Sequence, residues 1–161
     1  MTVLLRRTVL LCAGLVTAGC AAPRWPAGSA THDWSGRLAM QVDSDPPQSL
    51  TAGFDLTGSP DTGELRISSP LGTTLATLRW RPGHAELLHG TQSAQRDSLD
   101  ALTTEWMGAS LPVAALFGWL RGVPEAVDGW TVDLSGYAQG RLTALRHHPA
   151  PAAHLRIVFQ P

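Results

Sequence analysis

The side chains that could do chemistry are few and poorly grouped. His147 and His148 are adjacent, with His154 close behind, and Asp97 and Asp100 lie three apart. Neighbouring residues of a strand point to opposite faces, so His147-His148 fits a surface turn better than a metal site. The two aspartates suit the first turn of a helix, where the positive dipole end favours an acid, better than an acid–base pair. No Gly-x-Ser-x-Gly, Walker, Gly-x-Gly-x-x-Gly or His-Glu-x-x-His motif occurs. The expectation is therefore no enzyme: no catalytic residue, no metal and no cofactor. A serine triad is defined by geometry rather than by order in the chain, so that arrangement waits for coordinates.

One residue does carry a chemical expectation. Met1–Arg7 holds Arg6 and Arg7 and no acid, and Thr8–Ala18 is apolar or small throughout. That is a basic start and an apolar run of signal-peptide length, too short for a membrane helix of about 20 residues. It ends in Thr17-Ala18-Gly19-Cys20, which resembles the bacterial lipobox. Residues 1–19 are then a lipoprotein signal peptide, and Cys20 becomes the lipidated first residue. The only other cysteine, Cys12, leaves with the signal peptide, so no disulfide can form although the periplasm would permit one. Lipidation caps the remaining thiol. Two or more acyl chains, at about 0.8 kcal/mol per buried CH₂, make a stable anchor.

Behind the anchor is one domain's worth of chain. Lys is absent, and the twelve arginines less Arg6 and Arg7 leave ten against thirteen acids, a formal charge of −3. With no basic stripe, nucleic acid is not expected as a partner. Six tryptophans suit an apolar wall or a plain core equally well. Residues 20–33 read as lipidated N-terminus and tether: Ala21–Thr31 is small residues and Pro without periodicity. Residues 34–161 form the folded domain.

The elements of that domain follow from periodicity. Leu38, Met40 and Val42 alternate with polar or small residues, as do Ala52, Phe54 and Leu56, and then Leu65 and Ile67. Turns are expected at Asp43–Gln48, at 58–63 and at Arg81-Pro82-Gly83. Further strands run Thr74–Trp80 and His84–His89, making a five-stranded antiparallel meander. Leu99, Leu102, Thr103 and Trp106 have helical spacing between Asp97, taken as N-cap, and Gly108, taken as C-cap. Pro112 starts a second helix with Val113, Leu116, Phe117 and Leu120 on one face, stopped by Gly122 and Pro124. Strand character returns at Trp130–Leu134, Arg141–Arg146 and His154–Phe159. The order predicts a mainly β, α+β fold: one curved antiparallel sheet with helices on its concave side. Periodicity leaves open whether side chains fill the enclosed space or leave a cavity. In Ser69-Pro70-Leu71-Gly72-Thr73, Pro70 and Gly72 force a tight reversal and put Leu71 outward at its tip.

Several short motifs, in order, resemble the LolB family. They are Ser35-Gly36-Arg37-Leu38-Ala39, Pro70-Leu71-Gly72-Thr73, Leu111-Pro112 through Leu116 with Trp119-Leu120, Gly122 and Pro124, then Gly129-Trp130-Thr131-Val132, Gly136-Tyr137 and His154–Phe159. The resemblance spans Trp34 to Phe159. It implies a LolA/LolB-like incomplete β-barrel around an apolar cavity, and an outer-membrane lipoprotein on the periplasmic face. Such a protein is a chaperone-like receptor that takes lipoproteins from the periplasmic carrier LolA and inserts them into the inner leaflet of the outer membrane. It works as a monomer without cofactor or nucleotide. Ala21 is compatible with that sorting. The resemblance also implies that Leu71, flanked by Pro70 and Gly72, is the membrane-inserting residue. The acyl-chain cavity would be lined by Leu38, Met40, Phe54, Leu56, Leu65, Ile67, Leu75, Leu78, Trp80, Leu99, Leu102, Trp106, Leu116, Trp119 and Leu120. Two stretches are shorter than the family's usual: the lead-in before Trp34 and Glu125–Asp128. They motivate a second reading, a lipid-anchored binding or scaffold module of the same fold without insertion activity.

Overall fold

The computed structural model describes residues 34–161. The signal peptide, Cys20 and the tether lie outside the described residues. Nine strands form one sheet: β1 (Trp34–Val42), β2 (Gln48–Gly58), β3 (Gly63–Ser68), β4 (Thr74–Arg81), β5 (His84–His89), β6 (Gln92–Arg96), β7 (Trp130–Asp133), β8 (Arg141–Arg146) and β9 (Ala153–Phe159). Their spatial order is β6-β5-β4-β3-β2-β1-β9-β8-β7, and every described pairing is antiparallel. The first strand thus zips to the last, Leu38 opposite Ile157 and Met40 opposite Leu155. Edges β6 and β7 do not meet, so the barrel is incomplete, as expected.

Alternation decides which face is dry. Leu38, Met40 and Val42 of β1, Ala52, Phe54 and Leu56 of β2, and Leu155, Ile157 and Phe159 of β9 all point inward and are buried. The outer face carries polar partners such as Glu64, which accepts from Arg66 at 2.9 Å and from Arg79 at 2.8 Å.

Two helices, α1 (Leu99–Met107) and α2 (Val113–Trp119), close the concave side. Six of the seven residues of α2 are buried, as suits a helix that is apolar all round. Phe117 meets Trp34 edge-on at 5.7 Å and Trp80 at 6.2 Å. The Trp119 indole N–H donates to the Glu125 carbonyl at 2.9 Å. Helix α1 rests on β5 and β6, clamped by Arg96–Glu105 at 2.6 Å. Thr103 is fully buried yet satisfied: its hydroxyl donates to the Leu99 carbonyl at 2.9 Å and accepts from the Leu111 N–H at 3.0 Å. That single side chain ties α1 to the segment leading into α2.

The structure corrects the sequence reading in two places. The meander has six strands, because Gln92–Arg96 pairs with β5. The N-cap of α1 is Ser98, not Asp97. Ser98 has extended backbone, and its hydroxyl accepts from the Ala101 N–H at 3.2 Å. Gly108 is the C-cap, in left-handed geometry.

Candidate functional site

The pairings place four loops at one end of the sheet, here called the upper end: residues 43–47 after β1, 69–73 between β3 and β4, 90–91 between β5 and β6, and 147–152 between β8 and β9. The 69–73 loop is a tight hairpin. Gly72 donates to the Ser69 carbonyl at 2.9 Å, Ser69 to the Thr73 carbonyl at 2.8 Å, and the Thr73 N–H to the Ser69 hydroxyl at 3.2 Å. Gly72 takes φ +85°, the left-handed conformation that lets a three-residue loop close. Pro70 and this glycine leave Leu71 no neighbour to fold against, and it is 96% exposed.

Apolar open space begins beside that end. A cleft of about 240 Å³ is lined by Met40, Val42, Leu50, Leu75, Trp106 and Met107, with Gln48, Ser49 and His89 at its polar margin. No carboxylate or arginine touches it. A second cleft, about 440 Å³, lies between α1 and strands β5 and β6, over Leu87, Ala94, Leu102 and Trp106 with Glu105 at its edge. A third, about 350 Å³, opens at the opposite end around Trp80, Leu99 and Val113, and its walls mix apolar side chains with Asp61, Asp97 and Asp100.

The fifteen cavity candidates divide accordingly. Met40, Leu75 and Trp106 line the cleft at the Leu71 end, Leu102 and again Trp106 the edge cleft, and Trp80 and Leu99 the far cleft. Leu38, Phe54, Leu56, Leu65, Ile67, Leu78, Leu116, Trp119 and Leu120 are packed core, each no more than 4% exposed, and line none of the three. Helix α2 fills the middle of the concave face where a continuous cavity was expected, so in this structure the open space is divided.

Sequence reasoning passed over Leu50, Leu87, His89 and Met107, and read Val42 as inward-facing without placing it in the cavity wall. Val42, Leu50, Leu87 and His89 continue the alternation of Leu38 and Met40, of Ala52 and Phe54, and of Ala85, and Met107 sits four residues after Thr103. The same periodicity could have found them.

The reactive residues are used structurally. Asp100 accepts from the Ser110 hydroxyl at 2.6 Å, and exposed His148 lies 3.4 Å from Asp128. Among the described residues no group of three metal-binding side chains converges, and no helix is long and apolar enough to cross a membrane.

The sequence pattern of the family described as "Outer membrane lipoprotein LolB" matches residues 31–159. The chain belongs to the LolB family. It is 34% identical to the outer-membrane lipoprotein LolB of Chromobacterium violaceum over 83% of this chain and 77% of that protein. It is 39% identical to LolB of Bordetella petrii over 81% of this chain and 69% of the relative. LolB membership makes the chain an outer-membrane lipoprotein. The matched span takes in the Leu71 hairpin, both helices and all nine strands.

Proposed function

We propose that this LolB-family chain accepts lipoproteins from the carrier LolA, shelters their acyl chains in the apolar space at its upper end, and releases them into the inner leaflet of the outer membrane. It acts as a monomer and needs no cofactor. The observation that carries the reading is the placement of Leu71, almost fully exposed, at the end of the sheet where the mainly apolar cleft, free of carboxylate and arginine, opens. Burying a leucine side chain contributes about 1.5–3 kcal/mol. That is too little to hold a protein on a bilayer but enough to orient its cleft toward one. Transfer requires no chemical step. Acyl chains are costly in water, so they move downhill from carrier to receptor to bilayer when each site holds them better than the one before.

Cys20, exposed by removal of residues 1–19, supplies the anchor, and residues 20–33 the tether. The tether joins β1 at the end opposite Leu71. Residues 21–33 can span about 45 Å fully extended, more than the roughly 30 Å length of a nine-residue strand such as β1. A lipid at Cys20 and a leucine at the far end of the sheet can therefore reach the same membrane.

The test is complementation of a LolB-depleted bacterium. The chain should restore lipoprotein delivery, and Cys20→Ala should leave the protein unanchored in the periplasm. Failure to complement at normal expression would favour the scaffold reading.

A further inference from the structure

The cleft at the Leu71 end and the edge cleft share one wall. His89 and Trp106 line both, with ring centroids 5.9 Å apart and planes at 52°. We propose that the two clefts are halves of a single acyl-chain groove and that the His89–Trp106 pair is a movable partition between them. The inference rests on the function proposed above and adds a control point to it.

Three observations support a partition that moves. Trp80 and Trp119 are pinned by indole hydrogen bonds to backbone carbonyls at about 3 Å. Neither Trp106 nor His89 makes a side-chain hydrogen bond among the described residues, so their ring contact and packing alone hold them. His89 is exposed and ends its strand, and Trp106 is only half-buried. Trp106 also lies in the last turn of α1, two residues before the left-handed Gly108.

Size and lining name the occupant. The 240 Å³ cleft falls below the roughly 300–1,000 Å³ of ordinary ligand pockets, and joined to its 440 Å³ neighbour it falls within that range. The inner side is walled mainly by Met40, Leu50 and Leu75, and the edge side has an apolar floor of Leu87, Ala94 and Leu102 with Gln92, Ser93 and Glu105 at its polar rim. Two adjoining cells that share a wall fit a flexible hydrocarbon chain better than a compact ligand. The Arg96–Glu105 pair keeps α1 fastened to the edge strand while the partition opens.

The experiment uses the full lipidated chain in nanodiscs of phosphatidylethanolamine and phosphatidylglycerol. LolA delivers a lipoprotein whose N-linked acyl group is a diazirine-bearing palmitoyl, and light is applied early in the transfer. Crosslinks should map to both sides of the partition. Ala94→Trp, on the edge strand, should remove the edge-side crosslinks, shorten the time the lipoprotein is held, and leave those near Met40 and Leu75. Crosslinks confined to one side in the unaltered chain would overturn the partition while leaving the receptor function standing, as would an Ala94→Trp chain that folds and holds its lipoprotein unchanged. Absence of crosslinks anywhere in the domain would overturn both.

Discussion

Phe117 stands edge-on to Trp80, ring centroids 6.2 Å apart and planes at 68°, and through this contact α2 is seated on the middle of the sheet. The phenyl ring is fully buried and touches Trp34 on its other side. Phe117→Ala is expected to cost about 3–5 kcal/mol, since neighbouring strands cannot collapse into the space left. Urea unfolding monitored by tryptophan fluorescence checks it. A loss under 1 kcal/mol would mean that α2 is not the plug it resembles.

Leu71→Asp should leave stability within about 0.5 kcal/mol, because an exposed side chain has no packing to lose. It should also leave acceptance of lipoprotein from LolA intact and stop release into membrane. Co-purification of lipoprotein with the variant, alongside a vesicle incorporation assay, separates the two steps. Normal incorporation would remove Leu71 from the insertion role.

Gly36→Ala and Gly72→Ala should differ in kind. A Cβ at Gly36 would overlap the Val158 carbonyl, at the seam where β1 meets β9. We expect a loss of about 1–3 kcal/mol, as for other overpacked sites. At Gly72 nothing lies within 4 Å, and only φ +85° opposes a side chain, at roughly 1–2 kcal/mol. Hydrogen exchange distinguishes them: the first should deprotect β1 and β9 amides, the second only the 69–73 hairpin.

Ser98→Ala should destabilise by about 0.5–2 kcal/mol through loss of the helix cap. Asp97→Ala should cost far less. Thermal melts of the two variants decide which residue caps α1.

Asp133 should contribute a pH-dependent increment. The Ser135 N–H, 2.8 Å from its carboxylate, and then the Ser135 hydroxyl hold its pKa below the ordinary value of 3.8. A carboxylate lowered on folding stabilises the native state above its unfolded pKa, and that contribution disappears as pH falls through the lower folded pKa. The stability difference between the natural chain and Asp133→Asn should be constant near neutrality. It should shrink only below about pH 4. A difference that grows on acidification would contradict the assignment.

Most of the framework was legible because it is written locally. Inward residues of β1, β2 and β9 alternate strictly, Arg81-Pro82-Gly83 and Ser69–Thr73 demand reversals, and Val113, Leu116, Phe117 and Leu120 recur at helical spacing. Gln92–Arg96 escaped because an edge strand pairs on one side only and carries a mostly polar, exposed set of side chains. Ser98 displaced Asp97 as cap because both residue types suit the position. The path of the chain, not side-chain preference, chose between them.

What the order of residues determined by itself is therefore which side chains face inward, where the chain must turn, and that Leu71 would be held at a tip. Whether inward-facing side chains touch or leave room was decided only by the tertiary structure. Contact across the concave face depends on how far the sheet curves and on where α2, distant in sequence, comes to rest. Alternation reports direction and carries no information on the distance to whatever lies opposite. For that reason Phe54 and Leu56 became solid core, while Met40, with the same strand alternation, borders open space.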